Sequence, residues 1–132
     1  MANTVQGTLS MKNEESKHQC AYFEVLQLNA VKYPELTWIY ASANGGIRNI
    51  KTAVRLKKEG VKSGVWDVHI PLVRDAPGAF IEFKIKPNKL TANQTIFRDF
   101  MVKQGFQLAV CYDWESAVRF TEEYLGINLM AR

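Results

Sequence analysis

The chain has little sulfur chemistry, no long apolar run and no apolar stretch of signal-peptide type in its opening residues. Its two cysteines, Cys20 and Cys111, lie far apart and form no CxxC pair, so a reduced, intracellular protein is expected. No apolar run approaches the ~20 residues of a membrane span. The opening stretch MANTVQGTLSMKNEESKHQ has no apolar segment of signal-peptide type. It reads as a flexible lead over residues 1–13 ahead of one domain over residues 14–132, with a cytoplasmic location expected. Repeats and low-complexity segments are absent. With 132 residues the chain fits a single domain. A chain of this size buries roughly two-thirds of its unfolded surface and needs neither disulfide nor structural metal to fold.

Acid is scarce in one place. Between Arg48 and Lys62 six basic residues (Arg48, Lys51, Arg55, Lys57, Lys58 and Lys62) stand against one acid, Glu59, in a chain of net charge +4. A helix over 49–59 puts Lys51, Arg55 and Lys58 at i, i+4 and i+7 on one face. A polyanion fits such a stripe, and nucleic acid is the commonest one. A solvated face that keeps the protein soluble is the competing reading.

The elements follow from periodicity and breakers. Residues 14–32 carry a helical pattern with Cys20, Phe23, Leu26 and Val31 on one side, stopped at Tyr33-Pro34. TWIYAS, 37–42, is β-rich. Asn44-Gly45-Gly46 is a turn or loop. The basic helix ends at Gly60. VWDVHIPLV, 65–73, and AFIEFKIK, 79–86, are strands, the second broken by Pro87-Asn88. A helix over 91–104, a strand FQLAVCY and an amphipathic helix over 113–125 complete the chain. Strands separated by helices predict an α/β fold, a mixed central sheet flanked by helices. Trp38, Trp66 and Trp114 are expected in the core, both cysteines as buried thiols, His18 on a solvated helix face and His69 as a packed histidine.

The charges within the strands are unusual. Alternation puts Asp67 and His69 on one face of their strand, and Phe80, Glu82, Lys84 and Lys86 on one face of the next. The short connecting loop lets the two strands pair antiparallel. If the polar faces coincide, Asp67, Glu82 and Lys84 converge. Carboxylates brought together in a partly buried site repel and are costly to desolvate. Lys84 neutralises one of them. A divalent cation such as Mg²⁺ or Mn²⁺ is the natural second partner, since hard cations favour carboxylate oxygens and bridge to phosphates. The chemistry that uses this set is phosphodiester hydrolysis. A surface ion pair on an edge strand is the alternative, and the apolar Ile81, Phe83 and Ile85 speak against it.

The stretch SGVWDVHIPL…GAFIEFKIKPNKLTANQ…F…QGFQLAVCYDWESA…YL resembles the VRR-NUC domain, a branch of the PD-(D/E)XK nuclease superfamily. The matching positions are Glu15 and Gln19, Asn44-Gly45-Gly46 with Arg48, Gly64 and Asp67, Glu82 and Lys84, and Gln94, spread over about residues 14–125. The length suggests a small stand-alone phage or bacterial type. The resemblance implies a restriction-endonuclease-like core and Mg²⁺- or Mn²⁺-dependent cleavage of DNA. It further implies a homodimer acting on branched DNA such as four-way (Holliday) junctions, and so a place in DNA repair. It makes Glu15 a metal-shell carboxylate beside Asp67 and Glu82, with Lys84 positioning the attacking water and Gln94 and Gln19 orienting the site. Asn44, Gly45, Gly46, Arg48, Lys51, Arg55, Lys58 and Lys62 are then the DNA-gripping set.

Each of these residues has a plainer role open to it. Glu15 can be a helix N-terminal acid, with Glu14 as good a candidate. Gln94 closes the capping box Thr91-Ala92-Asn93-Gln94. Asn44-Gly45-Gly46 can be a hairpin turn. A non-catalytic branched-DNA-binding module and a restriction-type endonuclease are the alternative functions. The apolar tail GINLM is the candidate dimer contact.

Overall fold

The computed structural model describes residues 5–43 and 49–130, with side chains from residue 11 onward. In chain order the main elements are helix α1 (Val5–Asn29), strand β1 (Tyr40–Ala41), helix α2 (Ile50–Lys58), strands β2 (Val68–Ile70) and β3 (Ala79–Phe83), helix α3 (Ala92–Lys103), strand β4 (Gln107–Cys111) and helix α4 (Trp114–Leu125). The sheet order is β1-β2-β3-β4. The first three strands run antiparallel and β4 joins β3 in parallel through the α3 crossover. This is the expected α/β fold with a mixed sheet between helices.

The core lies between the sheet and the pair α1 and α4. Val68, Ile70, Ala79, Ile81 and Phe83 pack there on Tyr22, Val25 and Leu26 of α1 and on Ala117, Val118, Tyr124 and Leu125 of α4. The opposite face of the sheet is covered by α3. Phe80 stacks on His69 with centroids 4.5 Å apart and meets Phe97 of α3 edge-on at 5.0 Å. So β3 is buried on both faces, and the charges beyond Phe80 on its second face are enclosed rather than solvated.

Several expectations are corrected. Residues 5–13 are not a flexible lead but the first turns of α1, which opens at Val5. The buried face of α1 is Tyr22, Val25, Leu26 and Asn29, a 3.6-residue set turned away from Cys20 and Val31; Cys20 is exposed. Trp38 is 71% exposed, not core, because Pro34–Trp38 winds into a 3₁₀ turn that buries Leu36 instead. That turn leaves only two residues of the predicted TWIYAS strand. The predicted strand over 65–73 shrinks to three residues, bounded by Pro71, which has no N–H for the ladder. In the tail GINLM, the expected dimer contact, Asn29 donates to the Met130 carbonyl at 2.7 Å and accepts from its N–H at 2.8 Å, and the Met130 side chain stays exposed. His18 is partly buried and accepts from the Trp114 N–H at 3.1 Å, which caps α4. Among the described residues no helix is long and apolar enough to cross a membrane.

Candidate active site at the end of strand β3

The antiparallel register sets Val68 against Ile81. One step outward Asp67 therefore faces Glu82, and both hydrogen bonds of that step run to side chains. The Asp67 N–H donates to Glu82 Oε1 at 3.0 Å, and the Phe83 N–H donates to Asp67 Oδ2 at 2.8 Å. The carboxylates take over the backbone's role where the ladder ends, which fixes both in place. Glu82 is 3% exposed and Lys84 8%. Lys84 Nζ stands 3.7 Å from Glu82 Oε2, while the Lys84 N–H donates to the Cys111 carbonyl at 3.0 Å and so stays in register with β4.

Gln94 closes the capping box and also reaches Glu82. Its Oε1 accepts from the Thr91 N–H at 3.0 Å and its N–H donates to Thr91 Oγ1 at 3.2 Å, a complete capping box. With Oε1 held there, Nε2 is left to donate to Glu82 Oε2 at 2.9 Å. The cap orients the amide, and the amide orients the carboxylate.

Glu15 reaches the cluster from α1. It is half-buried, accepts from the Ile85 N–H and feels the charges of Lys84 and Asp67. Glu14, by contrast, is exposed and pairs with Lys17 at 3.2 Å. Gln19 lies one turn further along, half-buried, and forms no hydrogen bond with the cluster. Asn44, Gly45, Gly46 and Arg48 lie outside the described residues. Lys51, Arg55 and Lys58 do share one face of α2, lining a groove with Ile50 and Val54. Lys62 is exposed beyond the end of that helix.

Burial dominates the electrostatics. It pushes Glu82 up to about 8, with the charge of Asp67 adding and Lys84 opposing. Burial also raises Asp67, against the Phe83 N–H and Lys84, and raises Glu15. Among the described residues no three His, Cys, Asp or Glu side chains are closed into a ready-made metal site. The donor set nevertheless suits a hard cation. Asp67 and Glu82 lie within hydrogen-bonding reach of each other, and Lys84 is the ammonium felt by all three acids. An ion that keeps several waters needs only one or two carboxylates. His69, stacked on Phe80 and hydrogen-bonded to the Tyr40 hydroxyl at 2.8 Å, is a packed histidine whose burial lowers its pKa.

Lys12 escaped the sequence reading, and Trp66 and Gly64 take on parts beyond those expected of them. Lys12 acts on both Glu15 and Asp67; the i, i+3 spacing from Glu15 marks it once the lead is recognised as helix. Trp66 donates its indole N–H to the Gln94 carbonyl at 3.0 Å. Gly64 sits at φ +90°, and a Cβ there would meet the Asn93 carbonyl oxygen at 2.5 Å. The glycine thus lets the turn before Asp67 press on the first turn of α3, which carries Gln94. Gly64→Ala is expected to lower the unfolding free energy by about 2 kcal/mol or more, read as an earlier urea midpoint.

Comparison with known proteins places this arrangement. The family model for the VRR-NUC domain matches residues 11–114. A solved structure titled VRR_NUC domain protein superposes with a TM-score of 0.66 at 20% identity, covering 84% of this chain and 89% of that one. No curated protein matches.

Proposed function

Since the chain belongs to the VRR-NUC family, and so to a nuclease-type lineage, we propose that it is a metal-dependent, structure-selective DNA endonuclease. The observation that carries this reading is the quartet Asp67, Glu82, Lys84 and Gln94 at the end of β3, with Glu82 and Lys84 buried and Asp67 and Gln94 half-buried. A fold that only bound DNA has no use for two facing, desolvated carboxylates, which destabilise it.

Asp67 and Glu82, with Glu15, would hold Mg²⁺ or Mn²⁺. The ion would offset the phosphate charge and acidify the attacking water. The chain's own residues do the rest. Gln94, fixed by its capping box, keeps Glu82 turned toward the site. Lys84, held between strands, orients the water or takes its proton and balances the charge that grows on the phosphorus oxygens. Gln19, one turn along α1 from Glu15, is assigned with Gln94 to orienting the site. Lys51, Arg55 and Lys58 grip backbone phosphates, with Lys62 and Arg48 flanking them. The substrate is branched DNA, four-way junctions included, as in repair of such structures. A homodimer presents two sites related by a twofold axis for cutting two strands.

The test is cleavage of a labelled four-way junction and of its duplex arms with Mg²⁺, Mn²⁺ or EDTA. Junction-selective cutting that EDTA stops is expected. Tight junction binding without any cut leaves the non-catalytic module, and discrete fragments from long linear DNA leave a restriction-type enzyme. The basic face adds a second expectation. DNA affinity falls steeply with salt, and replacing Lys51, Arg55 and Lys58 together by alanine flattens the log–log slope by about 2.7. An unchanged slope removes α2 from the interface.

A further inference from the structure

Helix α2 is amphipathic in the wrong direction for a helix that merely packs. Thr52 and Leu56 are its half-buried residues, while Ile50 is 82% exposed and Val54 49%. Ile50 and Val54 are one turn apart, and Lys58, Lys51 and Arg55 follow them around the same side. These five residues line an open, shallow surface groove of about 390 Å³. Among the described residues the three cations enter no ion pair. The surface combines aliphatic walls with a row of cations and no hydrogen-bond acceptor on a side chain.

We propose that this groove takes an unstacked nucleobase from a DNA branch point, with the flanking phosphates on Lys51, Arg55 and Lys58. This deepens the endonuclease reading and rests on it. The argument is complementarity. A paired duplex offers anionic phosphates and hides its base faces; only a branch, bubble or end offers phosphate and apolar base together. Apolar side chains that meet unstacked bases are a known way to pay for a distorted helix. The aliphatic side chains meet the face of any base alike and the cations sit on the flanking phosphates, so the groove selects structure more than sequence. Eight residues separate Lys58 from Asp67, a span of at most about 30 Å, which keeps a captured base within about nine base-pair steps of the carboxylates.

The test uses the full chain in EDTA, so that binding is read without cutting and independently of whether the carboxylates catalyse. Two probes carry 2-aminopurine, one at the branch of a four-way junction and one in a duplex of matching sequence. Wild-type protein is expected to prefer the junction and to brighten its 2-aminopurine. Ile50→Ser with Val54→Ser is expected to lower the junction-to-duplex affinity ratio about tenfold, the scale of one lost base stack, and to abolish the brightening. Both positions are exposed, so the fold tolerates the change, which circular dichroism checks. An unchanged ratio overturns the proposal. So does a double variant whose only loss is binding to anionic lipid vesicles or self-association. Failure of cleavage in the junction assay with Mg²⁺, together with an intact preference in EDTA, would sink the enzyme reading and leave this groove standing.

Discussion

A Lys84→Ala protein is expected to bind junction DNA with nearly the parent affinity and to cut it at least about a thousandfold more slowly. The two effects separate because the groups involved are separate. The proposed phosphate grip is on α2, at the surface, whereas the Lys84 ammonium is enclosed beside Glu82 at 3.7 Å. Removing the side chain keeps the strand, since the Lys84 N–H still bonds the Cys111 carbonyl. What disappears is the cation that opposes the mutual repulsion of Asp67 and Glu82 and that, in the proposed mechanism, faces the attacking water. Lys84→Arg divides these duties. A guanidinium keeps the charge but not a transferable proton, so partial activity points to charge stabilisation and none points to proton transfer. The measurements are single-turnover cleavage with Mg²⁺ and anisotropy titration in EDTA. Cleavage at the wild-type rate by Lys84→Ala would remove the residue from the chemistry.

Asp67→Asn should do something less intuitive: abolish cleavage and make the metal-free protein more stable. The Asn oxygen can still accept from the Phe83 N–H, and its amide can donate to Glu82, so no hydrogen bond need be lost. One of two facing buried charges is gone. In the parent, Glu82 keeps a proton in the folded state up to about 8, against 4.5 when unfolded. The folded state thus binds more protons than the unfolded one across that window, and its stability falls as pH rises through it. The variant is therefore expected to gain most at pH 8 in EDTA, with Tm up by several degrees, the shift that about 1–2 kcal/mol makes in a domain of this size. At pH 5 the two proteins should converge, because protonation has already relieved the parent. Mg²⁺ should raise the parent's Tm and leave the variant's nearly unchanged. A parent that is the more stable of the two at pH 8 in EDTA would show that the carboxylates are not strained together.

These expectations have a common origin in local and distant information. Alternation along two strands and a short connection were enough to set Asp67 against Glu82 and Lys84, because strand periodicity and antiparallel register are properties of neighbouring residues. The capping box of α3 and the shared face of Lys51, Arg55 and Lys58 were legible for the same reason: each spans a turn or two of one helix. Burial was not legible. Trp38 lies outside because its 3₁₀ turn buries Leu36 instead, and Phe80, Glu82 and Lys84 lie inside because α3 covers the second face of β3, which no single segment reveals. The true extent of α1 was hidden because its first turns have no apolar stripe of their own. Nor could spacing show that the cap on Gln94 and the carboxylate of Glu82 share one amide, or that Gly64 makes room for Asn93. Those depend on segments far apart in the chain meeting within 3 Å, where excluded volume and desolvation choose among partners that the linear pattern leaves equal.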